Sequence, residues 1–346
     1  MTRARSPLHA LTRARVLEFL REPEAIFWVF AFPVIMALIL GFAFRDRPAD
    51  RIPVGIAGDP QSGLPGGRAL ESPTLKTIAF PTVEDGLQAL RTGRIALLIE
   101  VRQPLVYHFD PTRPDARLAR LEVDDAIQRA AGRKDPVAFR VQIMHEKGSR
   151  YIDFLLPGIL GLNLMGTGIW GIGFGIVNAR LKKTLKLLTA TPMRKADYLL
   201  AQIFSRFVFL VLEIAVILLF GVFVFGVPIR GSLALLLSTA LLGSLSFAGL
   251  GLLVAARAQT LEGASGLMNF VMVPMWLLSG VFFSAERFPK AAQPLIQALP
   301  LTALNDALRA VMLEGRGLAA IATPILIMLA WALVTFAIAL KIFRWQ

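Results

Sequence analysis

Glu213 has the most costly setting in this sequence. It sits near the middle of the run 203–226, where the only other charge is Arg206. A carboxylate placed in hydrocarbon costs about 2.5–3.5 kcal/mol on insertion scales unless it is neutralised, hydrated or paired. The residue type therefore suits a polar lining of a substrate path or a proton-sensitive group. The plainer alternative is an ion pair with Arg206, or with Arg257 of a neighbouring span or subunit. Asn163 and Asn269 lie in other apolar runs. Each fits an interhelical hydrogen bond or a further contact along a substrate pathway. A second concentration of chemistry is the stretch 180–197, RLKKTLKLLTATPMRKAD. It carries Arg180, Lys182, Lys183, Lys186, Arg194 and Lys195 against the single acid Asp197.

Enzymatic constellations are missing from the sequence. It contains no GxxxxGK[ST] phosphate loop, so ATP is not expected to bind this chain in that manner. His9, His108 and His145 are far apart, and no HExxH or CxxC pattern offers a metal site. His108 and His145 read as surface residues of the 45–150 segment. No GxSxG elbow is present. Asp124 and Asp125 are adjacent on a predicted helix, where neighbours do not share a face. No catalytic residue, metal or cofactor is expected on this chain.

The elements that position these groups follow from the apolar pattern. Of 346 residues, 55% are hydrophobic, with a mean hydropathy of +0.61, and they come in uninterrupted blocks. A helix of about 20 residues spans the hydrocarbon of a bilayer. Six blocks reach that length: 24–44, 154–179, 203–226, 231–256, 264–285 and 318–340. Pro33 should kink the first. The first block begins after a basic stretch and is too long for a signal-peptide core, so it reads as a retained anchor. The second is dense in glycine, with Gly171 and Gly175 at GxxxG spacing, which predicts close helix packing. Residues 1–23 form a basic, interfacial entry helix ending at Pro23. Residues 286–316 hold two pieces too short to cross, read as re-entrant helices. In Thr302–Glu314, Leu304, Leu308, Val311 and Met312 take one side, and Asp306 and Arg309 the other.

Residues 45–150 differ in kind. Charges of both signs are interspersed and no run is long enough to span. Strands are expected at Ile52–Ile56, Ile95–Val101 and Leu105–Phe109, and helices at Thr82–Arg91 and Arg117–Ala131. Thr82 and Asp85 stand at capping-box spacing, and Gly93 lies just past the helix end. The fold class is therefore an all-α polytopic membrane protein. It has six transmembrane helices and short re-entrant helices, with a small α/β extracytoplasmic domain inserted after the first helix.

Orientation follows from the cations of the short loops. The N-terminal segment, the 180–200 loop, the 257–262 turn and the 341–346 tail fall on one side and hold most unbalanced Lys and Arg. Both termini are placed in the cytoplasm and the 45–150 domain outside. The net charge of +13 then reports topology and contact with anionic lipid headgroups, not nucleic acid. No cysteine occurs, so no disulfide framework exists.

Three stretches carry a family resemblance. Tyr151–Gly158 (YIDFLLPG) enters the second span. Lys183–Pro192 (KTLKLLTATP) is similar to a GTLExLxxTP segment, with Lys183 and Lys186 at the Gly and Glu positions. Leu278–Phe283 (LSGVFF) is followed by Phe288-Pro289, Pro300-Leu301-Thr302 and Asp306–Arg309, leading to Gly315. In this order they resemble the permease subunit of ATP-binding-cassette type-2 exporters, in the subclass with a large outer domain between the first two spans. The resemblance implies a transport subunit of a bacterial-type inner membrane. It implies two permeases, as homodimer or heterodimer, and two separate ATPase subunits that hold ATP and Mg. It also implies that the 180–200 segment is a coupling helix seated on the ATPase, through Lys182, Lys183, Thr184, Lys186, Thr191, Pro192 and Arg194. Export would proceed by alternating access.

Two other classes compete. An ion-coupled secondary carrier would use Glu213, but such carriers show internal repeats and none is evident. A membrane-anchored sensor or scaffold would use the outer domain, but six spans exceed what an anchor needs. The residues do not reveal the substrate.

Overall fold

The computed structural model describes residues 7–44, 51–58, 70, 74–134, 137, 148, 150–183 and 195–342, with the helix alone described for 195–203. The chain forms two compact units, Met1–Arg45 with His145–Gln346, and Asp46–Met144.

The first unit is helical. A short helix α1 (Pro7–Leu20) precedes α2 (Pro23–Ala43). Then come α5 (Tyr151–Leu181), α6 (Lys195–Phe225), α7 (Leu233–Arg257) and α8 (Leu261–Leu278); α3 and α4 belong to the second unit. The short α9 (Gln293–Gln297) and α10 (Pro300–Met312) lead to a 3-10 turn and α11 (Ala322–Ile342). Six of these helices are long and apolar enough to cross a membrane: α2, α5, α6, α7, α8 and Leu318–Ile342. The protein is a multi-pass membrane protein.

Local chemistry explains the helix ends and bends. In α2 the turn Phe27–Ala31 is a π-helix, with the Phe32 N–H donating to the Phe27 carbonyl. The cause lies at Pro33, which has no N–H to give to the Val29 carbonyl four residues back. That carbonyl instead accepts from Asn163 Nδ2 at 3.1 Å. The fifth span, expected to reach residue 285, stops as a helix at Leu278. The Ser279 N–H caps the Met275 carbonyl, and Gly280 takes φ +68°, a left-handed turn that only glycine adopts cheaply. The third span is the C-terminal part of a 31-residue helix that starts inside the basic stretch at Lys195.

The two central helices are α5 and α7, each with 56% of its spanning window buried. Glycine lets their backbones touch. A Cβ at Gly251 would stand 2.6 Å from the Ile169 carbonyl oxygen, and one at Gly173 would stand 3.0 Å from that of Gly251. Gly168 sits under Phe247, and Gly161 under Asn305. Gly171 and Gly175, the pair at GxxxG spacing, have nothing within 4 Å of where their Cβ would be. Close packing of this helix is real, but its seam uses other glycines. Spacing alone cannot say which helix face meets a neighbour. Gly251→Ala is accordingly expected to destabilise the fold by about 1–3 kcal/mol, because a backbone oxygen cannot rotate away. A thermal midpoint in detergent that is unchanged in Gly251→Ala, or lowered as much in Gly175→Ala, would contradict this seam.

The second unit is a four-stranded sheet in the order β2-β1-β3-β4. Its strands are β1 (Ile52–Ala57), β2 (Leu75–Phe80), β3 (Leu97–Glu100) and β4 (Val106–Phe109). β1 is parallel to β2 and β3, and β3 pairs antiparallel with β4. The helices are α3 (Val83–Arg91) and α4 (Pro114–Ala130). Thr82 caps α3, its Oγ1 accepting from the Asp85 N–H at 3.2 Å, and Gly93 follows the helix at φ +72°. Val54, Leu97 and Ile99 form the core with Ala116, Ala119 and Val123 of α4. Strand β2 was not expected from the sequence. Its apolar residues Leu75, Ile78 and Phe80 do not alternate strictly, as on a strand with only one neighbour.

Candidate functional site

The Glu213 carboxylate is fully buried in α6. Arg206 lies seven residues earlier, two turns along the same helix face. Its Nη1 donates to Glu213 Oε1 at 2.6 Å and its Nη2 to Oε2 at 3.0 Å, a two-pronged pair. Thr167 of α5 closes the group. Its hydroxyl accepts from Arg206 Nη2, and its one proton is shared between the Asn163 carbonyl at 2.7 Å and Glu213 Oε2 at 3.2 Å. Of the partners considered for Glu213, the structure places Arg206 there. Arg206 is not fully covered: its side chain is 12% exposed against 0% for Glu213. The Arg206 Nε is buried without a hydrogen-bond partner among the described residues. Arg206 also lines a cavity of about 10 Å³, room for one water, together with Ser244 and the apolar side chains of Ile172, Leu210 and Leu241.

Asn163 and Asn269 part company. Asn163 is buried and makes the interhelical bond to Val29 already described, one turn before Thr167. Asn269 is exposed on α8, beside Phe270, which is 77% exposed. Thr167 thus bridges the Asn163 carbonyl and the Glu213 carboxylate, whereas Asn269 stands apart on α8. Thr167 was missed in the sequence, although its position four residues after Asn163 puts both on one helix face.

The basic stretch begins directly at the end of α5. Lys182 caps the helix, its N–H donating to the Asn178 carbonyl at 2.9 Å, and both Lys182 and Lys183 are exposed. Lys183 takes φ +58° in the position after the cap, where glycine is preferred. This explains why a glycine fits the equivalent position of the GTLExLxxTP segment. Thr184, Lys186, Thr191, Pro192 and Arg194 lie outside the described residues, and so does the step at Thr191-Pro192.

At the opposite end of α5 two of the remaining motif stretches meet. Tyr151 Oη donates to the Phe282 carbonyl at 3.0 Å, and Asn305 Nδ2 to the Ser279 carbonyl at 3.0 Å. Arg309 Nε donates to the Phe154 carbonyl at 3.3 Å, with its guanidinium 3.7 Å from the centre of the Phe154 ring. A further Arg309 bond reaches the Gly280 carbonyl. Arg309 was expected on the polar side of its helix. It is instead largely covered, because its stem crosses to α5 and its donors serve the Phe154 carbonyl of α5 and the Gly280 carbonyl just past the end of α8. Asp153 at the start of α5 is also buried, held by Arg150 Nη2 at 2.8 Å and the Gly148 N–H at 2.9 Å.

In the second unit His108 is half-buried on β4, its Nε2 3.0 Å from Glu100 Oε2 on β3; in the first unit His9 is exposed on α1. His145 lies outside the described residues. Among the described residues no group of three or more His, Cys, Asp or Glu gathers as a metal site.

A family model described as ABC-2 family transporter protein matches residues 23–341. The chain belongs to the ABC-2 transporter family. Its membrane unit is the permease portion of such a transporter. The chain is 29% identical over 195 residues to ABC transporter G family member 20 of Dictyostelium discoideum, covering 55% of this chain and 26% of that protein. It is 27% identical over 165 residues to the probable multidrug ABC transporter permease YbhS of Escherichia coli, covering 47% and 43%. It is 28% identical over 159 residues to the linearmycin resistance permease protein LnrN of Bacillus subtilis, covering 46% and 41%. The chain thus spans less than half the length of each of these relatives. Within the ABC-2 frame, the Arg206–Glu213–Thr167 group and the basic stretch sit on the same pair of helices, α5 and α6.

Proposed function

We propose that this chain is the permease half of an exporter whose energy comes from separate ATPase subunits. Two permeases and two ATPases form the working unit, and ATP and Mg stay on the ATPases. The observation that carries this reading is the placement of the basic stretch. It starts at the end of the deeply buried α5, and its last residues, from Lys195, already belong to α6, so a force applied to it reaches two spans together. A helix joined rigidly to two spans converts a nucleotide-driven change of a soluble motor into a change between two arrangements of the spans. On this reading Lys182, Lys183, Thr184, Lys186, Thr191, Pro192 and Arg194 form the contact with the motor. The basic loop and both termini are then cytoplasmic, the Asp46–Met144 unit is outside, and transport is outward by alternating access in a bacterial-type inner membrane.

YbhS is a probable multidrug permease and LnrN a linearmycin resistance permease, which supports a drug-like substrate for this chain, and the apolar spans suit an amphiphilic one. Asn163 has its amide committed to Val29, so Asn269, exposed on α8, is the better of the two for a pathway contact in the assembled pair. The deciding experiment is purification of the tagged full-length chain from its native membrane. An ATPase of the ATP-binding-cassette type is expected to co-purify in equal amount. A chain that transports alone, driven by an ion gradient, would overturn the reading.

A further inference from the structure

The basic stretch has a mechanical neighbour. Arg180, in the last turn of α5, does not point to solvent with Lys182 and Lys183. Its Nη1 donates to the Ala255 carbonyl at 2.8 Å and the Ala258 carbonyl at 2.7 Å, and Nη2 lies 3.5 Å from the Ala256 carbonyl. These are carbonyls at the C-terminal end of α7, which ends at Arg257 and continues extended through Ala258 without a glycine cap. The last carbonyls of a helix need donors from outside it, and a cation there also meets the negative end of the helix dipole. One guanidinium from another helix supplies both. Two residues on, Thr260 starts α8, its Oγ1 accepting from the Gly263 N–H at 3.1 Å. Arg180 therefore holds the end of α7 and the first residue of the turn that leads into α8. Further along the same helices the glycine seam at Gly168, Gly173 and Gly251 keeps α5 and α7 in backbone contact.

We propose that Arg180 is a positioning residue for transport: it makes the 258–260 turn follow the basic stretch, so that α5, α7 and the start of α8 answer the motor as one body. Lys182 and Lys183 are exposed for an outside partner, whereas the Arg180 fork is spent on carbonyls of its own chain. Its role is to pass on movement, not to bind the motor. The inference rests on the motor reading of the basic stretch.

The natural absence of cysteine permits single labels. An environment-sensitive fluorophore is attached at Leu181→Cys, at the end of α5, or at Gln259→Cys, in the turn, in the full complex with its ATPase. In the otherwise unaltered chain both labels are expected to respond to ATP with vanadate. In Arg180→Met, which keeps an apolar stem and loses the donors, the label at 181 still responds. The response at 259 falls by about fivefold or more, the size of an ordinary coupling free energy. A full response at 259 in Arg180→Met overturns the inference. If Arg180→Met does not assemble, Arg180→Gln retains one N–H₂ group and is expected to assemble with an intermediate response at 259. A full response there overturns it equally. No response at either site in the unaltered complex sinks the motor reading itself, which separates the two failures.

Discussion

Arg206→Met is expected to destabilise the protein by about 3–5 kcal/mol, the usual cost of leaving a buried charge without its partner. Glu213 has no exposure, and after the substitution the Thr167 hydroxyl would be its one remaining hydrogen-bond partner among the described residues. Glu213→Gln should be milder. It leaves Arg206, which is partly exposed and near the basic end of α6, free to extend its long stem toward water. The double variant Arg206→Met with Glu213→Leu removes both charges and should recover most of the stability, since apolar replacement of a buried pair is often neutral. Thermal midpoints in detergent check the order: Arg206→Met lowest, Glu213→Gln intermediate, the double variant nearest to the unaltered chain. Equal losses for the two single variants would refute the asymmetry. Transport then separates structure from function. Glu213→Gln is expected to reduce transport while the complex stays assembled. A stable double variant that transports at the unaltered rate would leave the pair a purely structural role.

Reversing the charge of Lys182, Lys183 and Lys186 together to Glu should weaken association with the ATPase by at least about tenfold, or 1.4 kcal/mol, and abolish transport. Lys182 and Lys183 are exposed and stand at the mouth of the stretch, where an acidic groove on a partner would meet them. Replacement of the three by Gln should fall between, and the difference between the Gln and Glu variants should shrink at high salt, as screening requires. Lys182 and Lys183 are exposed, and a thermal midpoint in detergent checks that the triple variant still folds. Co-purification measured at two salt concentrations tests the claim. Intact association and transport in the Glu variant would remove the stretch from the coupling path.

The helix count was legible because run length alone reports it, and each of the six apolar blocks forms a long helix. The caps of α3 were legible because Thr82, Asp85 and Gly93 act within one turn of the chain. The misreadings have two causes. Gly171 and Gly175 satisfied a spacing rule but point to open space, and Arg309 satisfied an amphipathic pattern but crosses to Phe154. The helix of the fifth span ended early because Gly280 turns the chain, while its apolar composition runs on to Phe283. The first two depend on which neighbour a helix face meets, and that information is not local; the third is a local turn that apolar run length does not register.

The sequence by itself determined that the chain crosses a membrane, that a basic stretch separates the second and third spans, and that Glu213 needs compensation. Bilayer thickness sets run length, and hydrocarbon penalises a charge wherever the chain carries it, so composition and order suffice for these. Only the tertiary structure decided that Arg206 and Thr167 answer Glu213, that Asn163 serves the carbonyl freed by Pro33, and that Arg180 closes the end of α7. The reason is physical. A polar group in an apolar medium takes whichever donor or acceptor packing brings within about 3 Å, and helix packing is set by the fit of whole faces, not by the residues on either side in the chain.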